Sequence, residues 1–146
     1  KARVLVVMVQ DDVAKRLCAA ENTPEYGAIT AAIARRAEAE TVKFVPRHLF
    51  TPAPNVDSAV VRLTFIPDRI PVKDKKMYRA AVRAAFLSRR KTLENNLINS
   101  FALSREQAQE VLRQAGIPPK ARGEALSPQK LAQLADVLCE HVPAEE

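Results

Sequence analysis

The chain has 146 residues, of which 47% are hydrophobic and 27% charged, with a formal net charge of +6. This is a soluble globular composition, long enough for one ordinary domain or two small ones, and no apolar run is long enough to span a bilayer. Cys18 and Cys139 lack His or Cys neighbours at metal spacing, which argues against a metal site or a disulfide framework and for reduced thiols in a cytosolic protein. The basic balance favours an anionic partner, although many basic proteins bind no nucleic acid.

Residues 4–9 read Val-Leu-Val-Val-Met-Val. A continuous apolar run of this length suits a strand buried on both faces, as in a parallel sheet covered by helices. It is too short for a signal peptide, and no small-residue cleavage site follows. A strand of this kind needs neighbours on both sides, yet it starts near the first residue, so the sequence reads as truncated at its N-terminal side.

Residues 11–20 predict a short helix with Val13, Ala14 and Leu17 inward, opened by Asp11 and Asp12. Thr23-Pro24-Glu25 offers an N-cap, a first-turn proline and an early acid, and Ile29 and Ile33 share a face, which predicts a second helix over 23–37. A short strand at 41–45, a proline-punctuated loop at 50–56 and a strand at Ser58–Phe65 follow. The order strand, helix, helix, strand, loop, strand is an α/β arrangement.

Composition changes after Pro67, and no strand signal follows. The predicted boundary lies near Asp68, dividing the chain into 1–68 and an all-helical unit over 69–146. Residues 73–87 are helical, and 92–101 carry Leu93, Leu97 and Phe101 at four-residue spacing. Ser104 and Gln107 form a capping box; Gly116 stops that helix and Pro118-Pro119 prevents its continuation. Ser127-Pro128 starts a last helix with Leu131, Leu134, Ala135 and Leu138 inward.

From Arg69 to Lys91 nine Lys or Arg residues face one acid, Asp74. Arg79 and Arg83 lie one turn apart. Arg89, Arg90 and Lys91 are expected to open the helix that carries Leu93, where cations oppose the macrodipole and local stability does not explain them. A polyanion explains both features through counterion release; the alternative is an ordinary solvated face. Phe50, at the head of the proline loop, could stack on an unstacked base, but from pattern alone it reads as a loop anchor, and Tyr26 as a core residue. No catalytic constellation is visible: His48 and His141 are isolated, Ser58 and Ser88 have no base partner, and three glycines make no nucleotide loop.

Five stretches together resemble the ribosomal RNA adenine N6-dimethyltransferase family. VLVVMVQDDVAKRL (4–17) resembles its fifth strand and following helix. Glu25-Tyr26-Gly27 resembles a helix start, and FTPAPNVDSAVVRL (50–63) its Phe-x-Pro-x-Pro-x-Val-Asp-Ser segment. FLSRRKTLENNL (86–97) resembles its Arg-Arg-Lys-Thr-Leu helix, and RGEALSPQKL (122–131) its end motif. The match runs through nearly the whole chain in order, closest to the ribosome-maturation branch.

The resemblance implies the last strands of a Rossmann-like methyltransferase sheet followed by a small helical rRNA-recognition domain. The whole enzyme would transfer methyl groups from S-adenosylmethionine to N6 of two adjacent adenosines of small-subunit rRNA. The family's glycine-rich cofactor motif and Asn-Leu/Ile-Pro-Tyr motif precede the segment matching 4–17, so this chain is expected to hold no cofactor, to be inactive alone and to contribute RNA binding. Phe50 becomes the residue that stacks on the target adenine, and Arg89, Arg90 and Lys91 match the residues expected to grip rRNA, beside Arg79 and Arg83 from the charge pattern. The implied partner is the immature small ribosomal subunit, with no membrane, a monomeric state and a cytoplasmic location. Asn55, Ser88 and Asp11 depart from the family's usual Lys, Gln and Lys, the first removing a possible phosphate contact. A non-catalytic RNA-binding or ribosome-assembly module is the alternative; a basic helical DNA-binding domain is opposed by the α/β first half.

Overall fold

The computed structural model describes residues 3–143. In chain order the elements are β1 (Val4–Gln10), α1 (Asp11–Leu17), α2 (Ala28–Ala34), β2 (Ala37–Val45), a 3-10 turn at Arg47–Leu49 and β3 (Ser58–Phe65). Then come α3 (Lys75–Ala85), α4 (Leu93–Phe101), α5 (Arg105–Ala115), a 3-10 turn at Gly123–Ala125 and α6 (Pro128–His141).

Among the described residues the strands form one sheet in the order β1-β3-β2, with both pairs antiparallel. Side chains alternate across a strand: Ala59, Val61 and Leu63 of β3 turn to a buried face with Ala14, Ala37, Val7 and Val9, and with Leu17 and Ile33 from the helices. The expectation of a doubly buried strand in a parallel sheet at 4–9 does not hold here. Among the described residues β1 has β3 as its one partner, and Val4, Leu5, Val6 and Met8 are exposed. An apolar run reports an affinity for burial; pairing direction comes from residues 48 to 60 positions away. β2 is longer at its start than the predicted 41–45, and its register shifts between Thr41 and Lys43, leaving Val42 as the extra residue.

The second helix also differs from the predicted 23–37. It starts at Ala28, and Ala37 already belongs to β2. Thr23 does not act as its N-cap: its hydroxyl donates to the Ala20 carbonyl at 2.7 Å, and its own carbonyl accepts from the Tyr26 amide in a tight turn. The turn is set from outside. Tyr26 is 1% exposed and its hydroxyl donates to the Leu126 carbonyl at 2.6 Å, which holds 23–26 off the helical path.

The remaining helices begin where their caps lie. Asp74 Oδ1 accepts from the Lys76 and Met77 amides, so α3 starts at Lys75 rather than 73. Thr92 caps α4, Ser104 and Gln107 close a reciprocal box on α5, and Ser127 caps α6 with Pro128 in the first turn. Gly116 ends α5 at φ 70°, the left-handed region where glycine carries no Cβ penalty. Leu93, Leu97, Leu112, Leu131, Leu134 and Leu138 fill the helical core. α2 lies between the two cores: Ala31 packs into the helical one while Ile33 faces the sheet. No helix among the described residues is long and apolar enough to cross a membrane.

Candidate nucleic-acid interface

The inner side of α3 is apolar, with Met77, Tyr78, Ala81, Val82, Ala84 and Ala85 buried. The helical period therefore turns Arg79 and Arg83 outward, and both are exposed. Asp74, the one acid of this stretch, has its carboxylate engaged in capping α3. Neither arginine makes an ion pair among the described residues. Among the described residues no ion pair compensates this positive face.

Arg89, Arg90 and Lys91 do not open α4. They form a turn ahead of Thr92, closed by Lys91 N–H donating to the Ser88 carbonyl at 3.2 Å. Buried Asn96 braces this turn from below by donating from Nδ2 to the same carbonyl at 3.2 Å. Thr92 takes the N-cap because its hydroxyl can accept from the helix, which no Arg or Lys side chain can do.

The three cations then part ways. Arg90 and Lys91 are exposed and unpaired among the described residues. Arg89 is engaged by the protein: it contacts Glu124 Oε2 at 3.2 Å, donates to the Tyr26 carbonyl and lies 5.9 Å from the centre of the Phe86 ring. Tyr26 meets Phe86 edge-on at 5.6 Å. Tyr26 is buried, as the sequence led one to expect, but its pairing with Arg89 and the role of Glu124 leave no sequence signal, because no local pattern relates positions so far apart. The distant motifs containing Tyr26, Arg89 and Glu124 share one junction between the helical unit and the start of α2.

Phe50 follows the 3-10 turn at Arg47–Leu49 and is half-buried at the head of an exposed loop. That loop is braced at both ends. Asp57 Oδ1 accepts from the Arg47 amide at 2.8 Å, Arg47 Nη1 donates to the Asn55 carbonyl at 3.2 Å, and the Asp57 carbonyl accepts from the Asp11 amide at 2.9 Å. The Arg47 brace uses the Asn55 main chain, so the side-chain departure at this position leaves it intact. No hydrogen bond, ion pair or ring contact among the described residues joins Phe50 to the basic turn.

Each of the three glycines has a local role in packing or capping. Gly116 is a helix stop, and Gly123 is pressed against Ala85. Gly27 precedes α2 with its amide donating to the Thr30 hydroxyl. No cluster of three or more His, Cys, Asp or Glu able to hold a metal occurs among the described residues.

The chain matches a family model described as ribosomal RNA adenine dimethylase over residues 1–140. Ribosomal RNA small subunit methyltransferase A of Bacillus cytotoxicus is 46% identical over 143 residues, 95% of this chain and 49% of that protein. The protein of the same name from Bacillus mycoides is 45% identical over the same share. The chain thus spans about half the length of the curated relatives it matches. Among solved structures, a dimethyladenosine transferase from Plasmodium falciparum superposes with a TM-score of 0.78 at 20% identity, covering 90% of this chain and 56% of that one. The 23S rRNA methyltransferase ErmE gives 0.60 at 24% identity, covering 93% and 55%. These two likenesses show a shared methyltransferase-like α/β fold.

Proposed function

Since the chain belongs to the ribosomal RNA adenine dimethylase family, we propose that the protein carrying it methylates N6 of two adjacent adenosines in small-subunit rRNA, with S-adenosylmethionine as donor. Within that reaction residues 1–68 supply the last strands of the methyltransferase sheet and the adenine-stacking Phe50. Residues 69–146 recognise RNA. S-adenosylmethionine supplies the methyl group when bound, and its site lies outside these residues, so the chain alone is inactive. The protein acts as a monomer in the cytoplasm on immature small subunits.

The observation that carries the RNA reading is the set of exposed cations without an ion-pair partner among the described residues, Arg79, Arg83, Arg90 and Lys91, beside an acid already engaged in capping. Phosphates neutralise such a face, and folding does not require it. Phe50 sits on a loop whose ends are pinned, so a ring offered to a flipped base is held in place before the base arrives.

The test is Phe50→Ala in the methyltransferase, followed by methyl incorporation into immature small subunits and by binding to them. One stacking contact is worth roughly 1–3 kcal/mol, and phosphate contacts elsewhere maintain most of the affinity. Methylation should fall far more than binding. Equal losses return Phe50 to a packing role, and undiminished methylation removes it from the site.

A further inference from the structure

We propose that Asn96 is a positioning residue. From inside the helical core it sets the shape of the 88–91 turn, and so holds Arg90 and Lys91 in place before RNA arrives. The inference rests on the RNA reading above and adds to it a residue that itself touches no RNA. Asn96 lies on α4 in the pattern Leu93-x-x-Asn96-Leu97, which puts a polar side chain on the helix face that packs into the core. It is as fully buried as Leu93 and Leu97.

Folding alone does not explain an amide at this position. Asn96 Nδ2 donates to the Ser88 carbonyl at 3.2 Å, but Oδ1 is the one buried side-chain oxygen or nitrogen without a hydrogen-bond partner among the described residues. Buried polar groups are nearly all paired, and an unpaired one lowers stability where an apolar side chain of the same shape does not. Leucine branches at the same carbon with the same number of heavy atoms, and it is the better helix former. The amide is thus unfavourable for both the core and the helix. What it provides in return is its bond to Ser88.

The turn depends on that bond because its own residues do not define it. Arg89 and Arg90 occupy its centre, and neither is a turn former. One backbone bond closes it, from Lys91 N–H to the Ser88 carbonyl at 3.2 Å, and Asn96 takes the second lone pair of the same oxygen from below. The side chain of Arg89 anchors its own side of the turn on Tyr26 and Glu124. Arg90 and Lys91 are exposed and form no ion pair among the described residues, so their place is set by the backbone beneath them. Leu93 N–H donates to the Ala121 carbonyl at 2.8 Å, which fixes the start of α4 and with it the level at which Asn96 meets the turn. Segments that must be ordered on binding lower affinity; a turn fixed from the core avoids much of that loss.

The test is fluorescence anisotropy of a labelled 3′-terminal small-subunit rRNA hairpin with the full chain, run as a mutant cycle. Asn96→Leu and Asn96→Ala are each made in the parent chain and in Arg90→Ala/Lys91→Ala, and every variant is melted in denaturant. Asn96→Leu should be at least as stable as the parent and yet bind RNA about fivefold more weakly, the effect of having to order one or two long side chains. In the Arg90→Ala/Lys91→Ala background the same substitution should change affinity by less than about twofold, because the residues it positions are gone. Asn96→Ala leaves a cavity and should be less stable, with the same dependence of its binding loss on Arg90 and Lys91; it keeps the test decisive if leucine does not fit. Equal binding losses in both backgrounds, in step with lost stability, make Asn96 a core residue only and overturn the proposal. Unchanged affinity on replacing Asn96, with loss on removing Arg90 and Lys91, overturns it and leaves the RNA reading standing. No binding by the unaltered chain overturns both.

Discussion

The guanidinium of Arg89 donates to the backbone carbonyl of Tyr26, 63 positions earlier in the chain. The same group holds Glu124, so one side chain ties the start of α2 to the loop that leads into α6. A cation engaged in this way contributes to folding, whether or not its exposed part also meets RNA. Hydrogen bonds from charged donors contribute roughly 1.5–3 kcal/mol, and partial exposure of the Glu124 pair reduces its share. Arg89→Ala should therefore lower stability by about 1–2 kcal/mol, while Arg90→Ala and Lys91→Ala stay within about 0.5 kcal/mol of the parent chain. Arg89→Lys should not restore it, because an ammonium lacks the planar fork. Denaturant melts of the four variants decide, and an Arg89→Ala chain as stable as Arg90→Ala would return Arg89 to the RNA face.

Alkaline pH should weaken the junction through its tyrosines. Burial pushes the Tyr26 phenol up, with the neighbouring Tyr78 and Glu21 adding to the effect. Burial also pushes Tyr78 up to about 12 from 10.0, opposed by Arg35 over its ring. Both hydroxyls donate to backbone carbonyls, of Leu126 and Ala31, so only the protonated forms fit. The unfolded chain ionises near pH 10 while the folded chain keeps its protons. Stability is therefore fully present below that point and falls as pH rises towards 12, by up to about 1.4 kcal/mol per pH unit for each tyrosine. Tyr78→Phe should be less stable at neutral pH, having left the Ala31 carbonyl unpaired, yet lose less on going from pH 10 to 12. An unchanged alkaline slope would show that Tyr78 does not set it.

Gly123 should tolerate no side chain. A Cβ there would lie 2.0 Å from the Ala85 oxygen and 2.6 Å from its carbonyl carbon, both backbone atoms that cannot rotate away. Gly123→Ala should cost about 2–3 kcal/mol, at the upper end for overpacking. Gly116→Ala has a different cause: space is adequate, with Lys130 Nζ 3.4 Å from the added Cβ, but φ is +70°. It should cost about 1–2 kcal/mol, and Gly116→Asn less, since Asn enters the left-handed region more readily. Equal losses at the two glycines would mean that the close approach to Ala85 relaxes.

What was legible in the sequence is what local chemistry decides. Ser58–Phe65 is legible at both ends because it is rich in strand-forming residues after a proline loop, and the Ser104–Gln107 and Ser127-Pro128 starts are legible because a cap acts within one turn. Thr23-Pro24-Glu25 carried an equally good local signal and misled, since Tyr26 is drawn to Leu126, a partner 100 residues away. The direction of β1 failed for the same reason: its register is written in β3. At the candidate interface the cations were visible as a run, but the division between engaged Arg89 and unpaired Arg90 and Lys91 depends on Glu124.

Removing the four exposed cations of the helical unit should separate binding from folding. Arg79 and Arg83 project from α3 away from its buried face, and Arg90 and Lys91 project from a turn held by the Ser88 carbonyl rather than by their own side chains. Truncating them removes no described ion pair and opens no core cavity, so the melting transition of Arg79→Ala/Arg83→Ala/Arg90→Ala/Lys91→Ala should stay within about 0.5 kcal/mol of the parent chain. Each phosphate no longer neutralised flattens the log–log salt dependence by about 0.7 to 0.9. Four lost contacts therefore flatten it by about three units, and the loss should be similar for small-subunit rRNA and for an unrelated RNA of equal length, because phosphate contacts carry no sequence information. Binding isotherms for both RNAs over a range of salt supply the measurement. A loss confined to the ribosomal sequence would mean that these side chains reach base edges, and a chain that unfolds early would mean that they support the helical unit.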